Sequence, residues 1–236
     1  MPPAASSSQS EDVSADLELS IESVASRERA DGALDLIIKT SRGEITAVLH
    51  ACEGESGAAI FAGGALGGLD GPANAIYQRL AQELIAPAHG IGLTSLRLHY
   101  RQPGEFQECV LDVLGGLSLL KGLGAQCVAL VGHSFGAAVV IKAGELSALV
   151  SAVAALSPQL YGTRTVERLS PRPLLLVHGT ADRILDCAAS DDIYQRALEP
   201  KRLVLYEEAD HGLTSCADEL FDLLRDWLVD AVGVPE

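Results

Sequence analysis

The sequence predicts an α/β protein with a mainly parallel central sheet and helices on both faces. Short apolar runs typical of buried strands recur along the chain, helix-like segments separate them, and two of the runs end in glycine-containing turns. Alternating strands and helices indicate βαβ units, whose sheets are covered on both faces. Functional sites in such sheets form at the carboxyl ends of the strands.

The N-terminal part departs from this alternation. Residues 1–15 are rich in Ser, Pro and Ala, and we predict that they form a disordered N-terminal segment. Residues 16–24 alternate apolar and polar side chains, as a strand does. Residues 33–51 predict two strands around a hairpin-type turn at 41–43. We therefore expect residues 16–236 to form a single domain whose sheet opens with antiparallel strands.

The rest of the chain supplies the parallel part of the sheet. Strands are predicted at 58–62, 93–100, 127–132, 151–157, 173–179 and 202–209. Helices are predicted at 73–86, 105–123, 134–149, 188–198 and 215–231. The last helix places Leu220, Leu223, Leu224, Trp227 and Leu228 on one apolar face.

Composition narrows the possible partners. The net charge of −15 argues against nucleic acid or an anionic membrane as a partner. The N-terminus lacks the features of a secretory signal, and no apolar run is long enough to span a membrane. The five cysteines are scattered and form no CxxC pair, so we expect a cytoplasmic protein without a metal site or cofactor.

The most informative stretch is Gly132-His133-Ser134-Phe135-Gly136. It matches G-x-S-x-G and lies between a predicted strand and a predicted helix, the context of a nucleophile elbow. Side chains at the two glycine positions would collide with the neighbouring strand and helix. The N–H groups at the start of the helix also point toward a developing negative charge. Ser134 is therefore the candidate nucleophile.

A serine hydroxyl needs a base that is oriented by an acid, and for this elbow the chain order is Ser, acid, His. His178 ends a strand before the candidate acids, whereas His211 follows the last strand, so His211 is the candidate base. Asp182 falls in the loop after the strand that ends near His178. We prefer it to Asp186, which suits a helix N-cap. We also prefer it to Asp210, which adjoins His211 in sequence and is a poor orienter because adjacent side chains diverge.

The order of "GHSFG", "HGTADRIL" and "ADHGL", with "FAGGALGG" after the first parallel strand, resembles the α/β-hydrolases over residues 30–232. The chain is most similar to small, capless, esterase-like or dienelactone-hydrolase-like members. The resemblance implies an α/β-hydrolase fold without a cap domain and a triad of Ser134, Asp182 and His211. Dienelactone hydrolases proper use a cysteine nucleophile, and here the residue is serine.

Acyl transfer also needs two N–H donors for the oxyanion. The residue after the nucleophile, Phe135, normally supplies one. The loop after the first parallel strand supplies the other, for which we choose Gly64 and then Ala65. The family's usual His-Gly in this loop is replaced by Ala62-Gly63. Arg101 could contact an anionic substrate, but a structural salt bridge is the preferred interpretation.

The expected function is hydrolysis of a small acyl ester through an acyl-enzyme intermediate. An acyl-thioesterase or a peptidase would use the same triad, and a non-catalytic ligand-binding protein of the same fold is the remaining alternative. Only about 15 residues separate the strands at 151–157 and 173–179, too few for a lid domain. We therefore expect an open site that prefers short acyl chains.

Overall fold

The computed structural model describes residues 18–85 and 92–232. The N-terminal segment predicted to be disordered lies outside these residues. Within them, nine strands form one sheet. In chain order the strands are β1 (Ile21–Glu28), β2 (Leu34–Thr40), β3 (Gly43–His50), β4 (Gly57–Ala62), β5 (Thr94–His99), β6 (Cys127–His133), β7 (Val150–Leu156), β8 (Leu174–Gly179) and β9 (Lys201–Tyr206).

The sheet is antiparallel at its N-terminal end and parallel elsewhere. The strand order is β1-β2-β3-β5-β4-β6-β7-β8-β9. The pairs β1–β2, β2–β3 and β3–β5 are antiparallel, and every later pair is parallel. The predicted fold class is confirmed, including the opening antiparallel strands. The carboxyl ends of β4, β6, β7, β8 and β9 consequently meet at one edge.

Five helices cover the two faces of the sheet in the described residues. They are α1 (Pro72–Ile85), α2 (Phe106–Gly122), α3 (Phe135–Leu146), α4 (Ala188–Arg196) and α5 (Ala217–Val232). Helices α1 and α5 share one apolar core, and α2, α3 and α4 share the core on the opposite face. The backbone of Ala73–Ala75, at the start of α1, has left-handed φ angles of 49° to 59°.

The element bounds differ from prediction mainly at the ends. β1 begins at Ile21, later than the predicted 16–24, and α3 ends at Leu146, before the predicted 149. The paired glycines Gly115 and Gly116 lie inside α2, where a Cβ atom at either would press against leucine or isoleucine side chains. These glycines let α2 approach the sheet closely, which offsets their low helix propensity.

The segment between β7 and β8 holds only the short 3-10 helix Val166–Leu169. A lid inserted at this position of the fold is thus absent from the described chain, as predicted. Among residues 18–85 and 92–232, no helix combines the length and the apolar character needed to cross a membrane.

Candidate active site

Ser134 lies at the sharp turn between β6 and α3. Its φ and ψ are 58° and −118°, a combination that costs a non-glycine residue roughly 1–3 kcal/mol. A Cβ atom at Gly132 would collide with the backbone of Gly136, and a Cβ atom at Gly136 would collide with the backbone of Gly63. Both glycines of the pentapeptide are therefore required by close packing, as predicted for a nucleophile elbow.

His211 and Asp182 form a direct pair above the same sheet edge. His211 Nδ1 lies 2.7 Å from Asp182 Oδ2. The Asp182 side chain is fully buried, and the His211 side chain is 16% exposed. A carboxylate oxygen can only accept, so His211 carries its proton on Nδ1, and Nε2 is left as the basic nitrogen.

Four donors hold the Asp182 carboxylate. Oδ1 accepts from the N–H groups of Ile184 and Leu185 at 2.8 and 2.9 Å. Oδ2 accepts from His211 and from His178 Nε2 at 3.0 Å. Burial raises the pKa of the Asp182 carboxyl, but hydrogen bonds from Leu185, His211 and Ile184 outweigh it and hold that pKa below its ordinary value. Asp182 is thus anionic and fixed in orientation.

The sequence did not predict the contact of His178 with Asp182. His178 is completely buried, and its Nε2 faces two acceptors, Asp182 Oδ2 and the Leu185 carbonyl, each at 3.0 Å. Nε2 must therefore carry a proton, and Nδ1 accepts from the Ser190 hydroxyl at 2.7 Å. The sequence signal for this contact was His178-Gly179 at the end of β8. A histidine at this strand end lies close to the loop that carries Asp182.

His133 is a second residue that the sequence left without a defined role. Its Nε2 donates to the carbonyl oxygen of His211 at 2.9 Å, and the hydroxyl of Ser157 donates to the same oxygen at 3.2 Å. Burial lowers the pKa of His133 to about 4, so this ring is neutral near pH 7. His133 and Ser157 together anchor the backbone of the loop that presents His211.

The two alternative acids, Asp186 and Asp210, have other hydrogen-bond partners. Asp186 is exposed and accepts from the N–H of Ala188 at 2.9 Å. It lies one residue before Cys187, the N-cap of α4, and not at the N-cap position expected for it. Asp210 accepts from the N–H of Thr214 at 3.4 Å. Of the three aspartates, Asp182 is the one whose carboxylate is described in contact with His211.

The predicted oxyanion residues flank Ser134. A Cβ atom at Gly64 would lie 3.8 Å from Ser134 Cβ, so the glycine loop passes directly over the serine. Phe135 begins α3, where backbone N–H groups have no partner within the helix. Ala65, the second choice, is exposed. Gly64 and Phe135 therefore both lie next to Ser134, and their role as oxyanion donors stays a prediction.

Three side chains hold the glycine loop that follows β4. The hydroxyls of Tyr77 and Tyr100 donate to the carbonyl oxygens of Ala62 and Gly63, at 3.1 and 3.2 Å. Further along the loop, the N–H of Gly68 donates to His99 Nδ1 at 2.9 Å. These bonds restrain the loop at its start and at Gly68, and restrained N–H donors are what electrostatic stabilisation of an oxyanion requires.

Arg101 has the structural role that was preferred for it. Its side chain is 3% exposed and is paired with Asp112 and with Glu108, and its Nη1 donates to the carbonyl of Arg42 at 2.9 Å. These bonds tie the loop after β5 to α2 and to the β2–β3 turn.

Ser134 and His211 open into one shallow cleft of about 410 Å³. Its other walls come from residues 63–72, which follow β4, and from His133 and Gly212. Six of the lining residues are glycines, and the absence of side chains there leaves room beside the serine for a small substrate.

No family model matches the chain. An uncharacterised Escherichia coli K12 protein, YfhR, is 37% identical over 77 residues, which cover 33% of this chain and 27% of that protein. The Salmonella typhi YfhR is 25% identical over 131 residues, which cover 50% and 44% of the two chains. The chain thus spans less than half the length of these curated relatives.

Solved structures match nearly the whole described chain. Est1E from Butyrivibrio proteoclasticus has a TM-score of 0.69 at 16% identity, covering 85% of this chain and 99% of that one. XC6422 from Xanthomonas campestris, described as an α/β serine hydrolase without a lid, has a TM-score of 0.68 at 19% identity, with 86% and 97% covered. A dienelactone hydrolase from Anabaena variabilis gives 0.68 at 17% identity, with 85% and 98% covered. The chain has the α/β-hydrolase fold, in the form without a cap domain.

Proposed function

We propose that the protein is a serine hydrolase that cleaves a small acyl ester through a triad of Ser134, His211 and Asp182. The observation that carries the proposal is the arrangement around His211. Its ring lines the same cleft as the strained elbow serine, and its Nδ1 is held by a buried carboxylate. This is the arrangement by which a weak hydroxyl nucleophile is activated.

In the first step, His211 Nε2 takes the proton of the Ser134 hydroxyl as the oxygen attacks the ester carbonyl carbon. The Nδ1–H bond to Asp182 keeps the other nitrogen basic and stabilises the imidazolium that forms. The His178 contact leaves Asp182 with one fixed orientation while this charge develops.

The tetrahedral oxyanion then accepts hydrogen bonds from the backbone N–H groups of Gly64 and Phe135. The imidazolium of His211 returns its proton to the leaving alcohol, and the carbon–oxygen bond breaks to leave an acyl group on Ser134. Water, deprotonated by the same histidine, attacks the acyl carbonyl and releases the carboxylic acid and the free serine.

A small ester is the proposed substrate because the cleft is open and six of its lining residues are glycines. Two of the structural neighbours are named as ester-cleaving proteins, an esterase domain from Rhodothermus marinus and the dienelactone hydrolase from Anabaena variabilis. An acyl-thioesterase or peptidase would need the same three residues. A non-catalytic protein of this fold would have no need for a complete triad or for the strained backbone of Ser134.

The test compares one acyl group on three leaving groups: p-nitrophenyl acetate, acetyl-coenzyme A and p-nitroacetanilide. We expect the ester to have the highest kcat/KM in the wild type and the Ser134→Ala variant to lose at least about 10⁴-fold. A higher kcat/KM on the thioester would favour an acyl-thioesterase. Hydrolysis that survives in Ser134→Ala would contradict the proposed nucleophile.

A further inference from the structure

The cleft that holds Ser134 has one large apolar side chain that the packing of the fold does not use. Leu66 lies in the wall of this cleft and is 92% exposed, more than any other large apolar side chain in the described residues. A leucine exposed to this extent adds almost nothing to folding stability, because its side chain stays in water. Exposed leucines are common on protein surfaces. What makes Leu66 a candidate for substrate binding is therefore its exposure together with its place beside the candidate nucleophile.

The turn that carries Leu66 is tightly packed. The N–H of Gly67 donates to the carbonyl oxygen of Gly64 at 2.9 Å, so Ala65 and Leu66 are the two central residues of a four-residue turn. A Cβ atom at Gly67 would lie only 2.7 Å from the ring of His99, which shows that the turn lies directly against this side chain at the end of β5. This contact fixes the place from which the Leu66 side chain projects.

A buried arginine holds the next part of the same loop. The side chain of Arg97, on β5, is 3% exposed. Its Nη1 donates to the carbonyl oxygen of Leu69 and to Asp70 Oδ1, both at 3.3 Å. A buried guanidinium is costly unless its donors are paired, so these bonds tie the cleft wall firmly to the sheet. Leu66 is thus presented by a loop that is attached to β5 on both sides of it.

The course of the loop places Leu66 on the acyl side of the ester. The loop begins beside the serine, where a Cβ atom at Gly64 would lie 3.8 Å from Ser134 Cβ. It ends beside the proposed base, where the N–H of Ala73 donates to the carbonyl oxygen of Gly212 at 2.8 Å. The leaving alcohol takes its proton from the base, so it lies toward that second end. The acyl group extends away from the leaving group, toward the turn that carries Leu66.

We propose that Leu66 binds the acyl group of the ester that Ser134 attacks, and that this acyl group is apolar and only a few carbons long. The inference rests on the proposed ester hydrolysis and names its substrate class. Because six lining residues of the cleft are glycines, few other side chains can contact an acyl group there. An acetyl group is too short to cover Leu66, whereas a butyryl or hexanoyl chain covers it. A longer chain extends past Leu66 into water and gains no further affinity.

The test measures kcat and KM for p-nitrophenyl acetate, butyrate, hexanoate and laurate. In Leu66→Ser, we expect KM for butyrate and hexanoate, relative to KM for acetate, to rise roughly three- to tenfold. Laurate should be affected no more than hexanoate. For each ester, kcat should stay within about twofold of the wild type, because a contact that binds substrate and transition state equally changes KM alone. A disturbed loop would instead displace the N–H of Gly64 and lower kcat.

Two further variants control this measurement. Leu66→Met conserves the apolar volume and should keep the KM ratios within about twofold of the wild type. Leu123→Ser is the matched control, because Leu123 is 59% exposed at the end of α2 and does not line the cleft. It should change no KM ratio.

Unchanged KM ratios in Leu66→Ser would overturn the proposal, and so would a fall of kcat on all four esters. An increase in KM that appears when 1-naphthyl acetate replaces p-nitrophenyl acetate, and not along the acyl series, would place Leu66 on the leaving-group side and contradict the acyl assignment.

Binding of p-nitrophenyl hexanoate to Ser134→Ala, followed by saturation-transfer NMR, separates this failure from failure of the proposed function. Binding that the added Leu66→Ser substitution abolishes, in a protein whose wild type hydrolyses no ester, would support the acyl contact and refute the hydrolase. Ester hydrolysis that requires Ser134, with KM ratios that Leu66→Ser leaves unchanged, would support the hydrolase and refute the acyl contact.

Discussion

Replacing Asp182 with asparagine is the most informative perturbation of the proposed triad. The carboxylate has two donors on each oxygen. In Asp182→Asn, the carbonyl oxygen of the amide can keep the N–H groups of Ile184 and Leu185. The NH₂ group then faces His211 Nδ1 and His178 Nε2, both of which are donors in the native structure.

His211 can relieve this conflict only by moving its proton to Nε2. That nitrogen could then no longer accept the proton of Ser134. We expect kcat to fall by up to roughly 10⁴-fold, as known for a triad forced into the wrong tautomer, which corresponds to about 5.5 kcal/mol of activation free energy. In the same variant, the new NH₂ group faces the Nε2–H of buried His178, and neither group can accept. This should also lower the free energy of unfolding by about 1–3 kcal/mol.

Asp186→Asn is the matched control. Asp186 lies four residues away, is exposed, and accepts one N–H bond from Ala188 through an oxygen that asparagine retains. We expect less than about a twofold change in kcat and an unfolding free energy within about 0.5 kcal/mol of the wild type. The assays are p-nitrophenyl acetate hydrolysis and urea unfolding. If Asp186→Asn were the more damaging variant for kcat, the assignment of the acid would be wrong.

Three further predictions address the surroundings of the triad. Ser190→Ala removes the hydroxyl that bonds His178 and should lower kcat on p-nitrophenyl acetate roughly three- to tenfold; an unchanged kcat would show that this bond does not position the acid. Gly64→Ala places a methyl group in ordinary contact with Ser134 Cβ. The melting temperature should therefore stay unchanged, while kcat/KM falls roughly ten- to hundredfold. A decrease in both quantities would indicate misfolding of the loop. The pKa of His133 is lowered to about 4, so the folded state binds fewer protons than the unfolded state between about pH 6.5 and 4, and stability should decrease by about 2 kcal/mol from pH 7 to pH 5. His50, whose pKa is also lowered by burial, adds to the decrease in the same direction. His133→Gln should therefore flatten this pH dependence only in part, and an unchanged slope in urea unfolding would contradict the argument.

Much of the fold could be predicted because its signals are local. The apolar runs that became β4, β6, β7 and β8 are short and bounded by turn residues, so their period and length identify them without tertiary information. Ser134 could be located for the same reason, since a strand, a glycine-flanked serine and a helix follow one another within a short stretch. The preference for Asp182 over Asp186 came from its distance to the end of β8.

The residues that the sequence did not reveal depend on contacts between distant segments. His133 and His211 are 78 positions apart, and their bond forms only because β6 and the last loop meet at one sheet edge. The role of Ser190 requires α4 to place its hydroxyl against His178.

The central claim is that Ser134 becomes acylated, and the most direct measurement is mass spectrometry after reaction with a fluorophosphonate. We predict one adduct on the peptide that contains Ser134. It should be absent in Ser134→Ala and form far more slowly in Asp182→Asn. An adduct on another serine, or ester hydrolysis by a protein that the reagent never labels, would contradict it.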